Sequence, residues 1–118
     1  MTGSQVGADD AERAQRFEAD LRALFPLWRR AVGLGQGRVP TLIAHHTAVG
    51  AAKHLLGKPG LSAGFVRLRD GGQLDLTIEC LVLRREYGSM FTAEDRGIAR
   101  RRLTENGMPR SALPLEPY

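Results

Sequence analysis

At 118 residues the chain has the length of one domain and is too short to bury two separate cores. Hydrophobic residues make up 42% of it and charged residues 25%, a balance that supports a packed core and excludes wholesale disorder. The net charge is +4; Met1–Arg30 mixes acids and bases without a leader-like apolar run, and the longest strongly apolar run, Cys80–Leu83, falls far short of the roughly 20 residues a transmembrane helix needs. The expected location is the cytoplasm, with no membrane partner.

In chain order, residues 1–8 are polar and glycine-containing and are expected to form a disordered tail. A single helical domain is expected over 9–107. Its first helix carries Phe17, Leu21, Leu24, Phe25, Trp28 and Val32 at helical spacing, with a kink or break near Phe25 because Pro26 removes the amide that would bond to Arg22. GLGQGR then places Gly33, Gly35 and Gly37 after a helix rather than a strand. It reads as a helix stop and connector, not a dinucleotide loop.

Pro40 and Thr41 begin the next segment, and Thr47 can cap another that runs from Ala48 to Leu56 and stops at Gly57. Its stripe is alanine-rich, which lets a neighbouring helix approach closely. Ser62 caps a short segment bearing Phe65 and Leu68 that ends at Gly71 and Gly72. Leu74, Leu76, Ile78 and Cys80 alternate with polar residues as a half-buried strand would. The following Leu81–Leu83 breaks that alternation, Asp75 or Thr77 can cap a helix, and a lone strand would lack a partner, so a buried helix is the reading taken. Thr92 with Glu94 and Asp95 opens the last helix, which runs to Glu105 and stops at Gly107. Pro109, Pro114 and Pro117 leave 108–118 as an extended proline-rich tail.

The fold expected is therefore all-α, a compact bundle of about five or six short helices. The expected core is Phe17, Leu21, Leu24, Trp28, Leu55, Leu56, Phe65, Leu68, Leu76, Leu81, Leu83, Ile98 and Leu103. Cys80, the single cysteine, forms no intrachain disulfide, and its aliphatic surroundings mark it as a buried thiol rather than a nucleophile.

Charge is unevenly spread. Residues 28–70 hold Arg29, Arg30, Arg38, Lys53, Lys58, Arg67 and Arg69 against Asp70 alone, a block able to attract phosphates through counterion release. Arginine supplies 15 of the 17 basic residues in a chain rich in Ala, Gly and Leu, so coding bias alone can also produce such a block. His45, His46 and His54 have poor ligand spacing, since neighbours on a helix diverge by about 100°, and no metal or cofactor is implied. Arg100–Arg102 fan around their helix. Arg102 falls near the apolar face, where its stem can pack and its guanidinium pair with Asp95. Ala48–Leu56, a turn and Ser62–Arg69 have the order of a helix-turn-helix, but the second helix is short, carries Gly64 in its middle and has no Asn or Gln to read adenine.

The words AAKHLL, PGLSAGFVRL, GGQLDLTIECLVL and MFTAEDRGIARRRL, within Ala48–Asn106, resemble a family of small helical bacterial proteins of unknown function. The resemblance implies a compact helical module and assigns no catalytic residue; a bulky residue, usually tryptophan, stands in that family where this chain has Arg69. The leading expectation is a non-catalytic interaction module that contacts an acidic partner, nucleic acid first, through the basic block. A protein-interaction or oligomerising domain is the alternative. A small enzyme is a third reading, without a nucleophile–base pair or paired carboxylates to support it.

Overall fold

The computed structural model describes residues 2–114, with side chains from Asp9 onward. Helix follows helix: α1 (Thr2–Val32), α2 (Val39–Gly57), α3 (Ala63–Asp70), α4 (Ile78–Val82) and α5 (Ala93–Glu105), with 3-10 segments at Leu74–Leu76, Arg85–Met90 and Arg110–Ala112. No strand occurs among the described residues, so the all-α expectation holds, and none of their helices is long and apolar enough to cross a membrane. Of the tails expected at 1–8 and 108–118, residues 2–8 are the start of α1, and 108–113 carry a buried Met108, the 3-10 turn Arg110–Ala112 and Leu113 packed against the core, while 1 and 115–118 lie outside the described residues.

The long α1 is the backbone of the bundle. It continues through Pro26 rather than breaking there; Pro26 is exposed, so water can serve the carbonyl of Arg22 that the missing amide leaves free. Its buried stripe, Phe17, Leu21, Leu24, Phe25 and Trp28, meets α2, α3 and α4. The helix ends where Gly33 turns left-handed (φ +67°) and its amide donates to Arg29 O at 2.9 Å. A Cβ on Gly71, at the end of α3, would lie 2.4 Å from Val32 Cγ1. Only glycine lets these two helix ends come so close.

α2 is two helical pieces joined at Thr47, whose φ of +65° and ψ of 171° belong to a region that side-chain-bearing residues almost never occupy. The Thr47 hydroxyl caps the second piece by accepting from Gly50 N at 3.2 Å. The separate segments expected on either side of Thr47 thus exist, but without a loop between them. Ala48, Ala51 and Ala52 of the second piece are buried, which brings α2 against α5.

Local capping chemistry sets the remaining boundaries. Ser62 Oγ accepts from Phe65 N at 3.1 Å and opens α3. Thr77 accepts from Cys80 N at 3.1 Å while donating to Leu74 O at 2.7 Å. The expected helix over Leu76–Leu83 is therefore divided: Thr77 is extended (ψ 158°), with a 3-10 turn before it and α4 after it. Thr92 and Asp95 form a reciprocal capping box at α5.

Most of the expected core is buried, but Leu55, Leu76 and Ile98 are only half-buried. Tyr87 and Phe91 take their place. Phe17 meets the Tyr87 ring edge-on at 5.1 Å and the Phe91 ring at 5.4 Å, and the Tyr87 hydroxyl donates to Asp20. Burial, and then the Asp20 carboxylate, push the Tyr87 phenol well above its ordinary range. Trp28 Nε1 donates to Leu76 O at 2.7 Å, which fastens the 3-10 turn to α1.

Cys80 is buried in α4. Burial pushes its thiol upward, reinforced by Asp75, so little reactive thiolate is present at neutral pH. Native protein is expected to react with a thiol reagent far more slowly than denatured protein, and equal rates would contradict this placement of α4.

Candidate functional site

Helix geometry divides the basic block expected from the sequence. Arg29 and Arg30 lie in the last turn of α1 and Arg67 and Arg69 in the last turn of α3, positions where a cation offsets the helix dipole even without a ligand. These ends converge: a Cβ on Gly33 would stand 3.6 Å from Arg67 Nη2. Arg69 is committed to Asp70 Oδ1 and Asn106 Oδ1, each at 3.0 Å. Arg38, exposed, immediately precedes α2.

The two lysines belong to another part of the molecule. Lys53 Nζ lies 3.8 Å from Asp95 Oδ2 and 5.9 Å from the centre of the Phe91 ring. The carbonyl of Lys58, at the end of α2, accepts from Arg102. Among the described residues Arg29, Arg30, Arg38, Lys58 and Arg67 are exposed and make no ion pair with a described acid, so the block is several surfaces rather than one.

His46 and His54 stack across Thr47 with centroids 5.2 Å apart and planes within 14°. Parallel rings aim their in-plane nitrogens alongside each other rather than at a common point, and no group of three or more metal-ligating side chains gathers among the described residues. The helix-turn-helix order also meets an obstacle. The first turn of α3, with Ser62, Ala63 and Gly64, lies across a cavity from the α1–α2 loop, and at eight residues the helix is short for one that must lie along a groove.

That cavity, of about 330 Å³, lies between the loop Leu34–Val39, α3 and the start of α4. Trp28, Leu42, Phe65 and Leu68 supply apolar wall, and Glu79 is part of its lining. Glu79 is a carboxylate inside an otherwise apolar run. Its side chain is 9% exposed and Arg102, 13% exposed, reaches it at 3.1 Å. Arg102 also donates to Leu55 O, Leu56 O and Lys58 O at 3.3, 3.2 and 2.7 Å, so one guanidinium closes the C-terminal end of α2 and neutralises Glu79 together.

The expected Arg102–Asp95 pair is thus replaced by Arg102–Glu79, because Asp95 is engaged at the Thr92 cap and near Lys53. The signal for Glu79 in the sequence was a lone charge within LTIECLVL: a buried charge demands a partner. Burial pushes its carboxyl upward, against the lowering by its backbone hydrogen bond and by Arg102. Comparison with protein-family models, curated proteins and solved structures finds no match to this chain.

Proposed function

We infer that the chain is a non-catalytic interaction module of the bacterial cytoplasm that grips a polyanion, nucleic acid first, through Arg29, Arg30 and Arg67. The observation that carries this reading is the Arg67 guanidinium beside Gly33, which adds a charge from α3 to the two at the end of α1. Each helix C-terminus contributes only about half a negative charge. Three guanidinium groups outweigh two such ends, so the local field favours an anion.

Backbone phosphate rather than base identity is the expected contact, because guanidinium groups suit phosphate and the neighbouring aromatics Phe25 and Trp28 are buried, leaving no stacking platform. A gel-shift series at low salt on duplex DNA, single-stranded DNA and RNA tests it. All three should shift with little sequence preference, and the Arg29→Ala/Arg30→Ala/Arg67→Ala variant should weaken all alike, lowering the salt slope by about one unit per lost phosphate contact. Lys53→Ala should change little, since that ammonium lies beside Asp95. No shift with any probe would move the assignment to the protein-interaction alternative, and sharp preference for one sequence would restore the helix-turn-helix reading.

A further inference from the structure

We propose that the cavity between the α1–α2 loop and α3 binds a small anionic amphiphile, with its apolar body inside and its carboxylate at Arg38. The cavity's 330 Å³ would hold roughly eleven non-hydrogen atoms at the ~30 Å³ that a water occupies in the liquid, the size of a ten-carbon chain. Its walls are largely apolar, and three of its polar side chains are already occupied. Ser62 Oγ caps α3, Thr77 bridges Leu74 O and Cys80 N, and Glu79 is held by Arg102. The wall that remains favours an apolar ligand body, with the exposed Gln36 and Arg38 on the loop side.

Arg38 differs from these groups. It lines the cavity yet is exposed and makes no ion pair among the described residues, which places a cation at the opening. Glu79 is already neutralised by Arg102, so Arg38 is the charge left in the lining to attract an anion, and it does so from the exposed side. The apolar inner wall and the exposed Arg38 together orient a ligand apolar end first. Arg29, Arg30 and Arg67 do not line this cavity, so the proposal is independent of the polyanion surface.

Trp28 is the only tryptophan in the chain and forms part of the wall, so its fluorescence reports occupancy directly. Titration with monomeric decanoate should give a saturable fluorescence change; 1-decanol should bind more weakly and decyltrimethylammonium weaker still. Arg38→Ala should weaken decanoate by about tenfold or more, the loss of one charge-assisted contact, while leaving decanol unchanged. Val39→Phe, which adds bulk to the lining, should weaken both decanoate and decanol. Circular dichroism of each variant checks that the fold persists. Absence of a saturable change below the micellar range, equal binding of the cationic and anionic probes, an Arg38→Ala variant that binds decanoate as well as the parent, or response to anionic vesicles alone would each overturn the proposal.

Discussion

Replacing Arg102 with alanine is expected to destabilise the protein by about 3–5 kcal/mol, the range for removing one partner of a buried ion pair. The reason is the charge left behind. Glu79 would remain in the cavity wall without a counter-ion, and three carbonyls at the end of α2 would lose their shared donor. Adding Glu79→Gln to that variant should recover roughly half of the loss, because it removes the stranded charge but leaves the α2 carbonyls uncapped.

Acid should act in the same direction. A carboxyl whose folded-state affinity for protons exceeds its unfolded one gains stability as pH falls through the folded pKa, and the gain is complete below the unfolded value. Burial pushes Glu79 upward even with Arg102 present, and losing Arg102 removes two lowering influences. The Arg102→Ala deficit should therefore shrink as pH drops from neutrality toward the ordinary carboxylate range, and the Glu79→Gln double variant should not show this component. Chemical denaturation across that pH range reads both effects; a deficit that does not depend on pH would show that Glu79 is not the stranded charge.

Phe17→Ala is expected to cost about 3–5 kcal/mol, the range for emptying a large aromatic site. Phe17 is fully buried and is the ring against which Tyr87 and Phe91 pack, so the cavity would open between α1 and the Arg85–Met90 segment. Against a total stability of about 5–15 kcal/mol for a typical domain, that is a large share. Phe17→Leu should cost much less, since it keeps most of the volume, and the two variants are compared by thermal or urea unfolding.

What could be read from the sequence was what depends on neighbours along the chain. Ser62, Thr77 and Thr92 cap the helices expected of them, because a hydroxyl reaches only the amides two or three residues on. Arg102 was placed near the apolar face correctly, but its partner is 23 residues away, and no local pattern distinguishes that partner from the nearer Asp95. Tyr87 escaped the expected core because it sits among Arg85, Glu86, Gly88 and Ser89, in a 3-10 segment without the 3.6-residue period that marks a buried face. The basic block failed as a single surface for a related reason. Contiguity from Arg29 to Arg69 says nothing about direction, and α2 carries Lys53 to α5 while the ends of α1 and α3 meet elsewhere. The cavity needs the α1–α2 loop, α3 and α4 assembled before it exists at all.

The bend at Thr47 gives α2 two unequal lifetimes. Its first piece buries only Ile43 and lends Leu42 to the cavity wall, whereas its second piece buries Ala48, Ala51, Ala52 and Leu56 and is clamped by Arg102. A backbone geometry that costs about 1–3 kcal/mol at the junction weakens their cooperation, so amide protons of 39–46 are expected to exchange through a smaller opening than those of 48–57, and the helix belongs to two folding units rather than one.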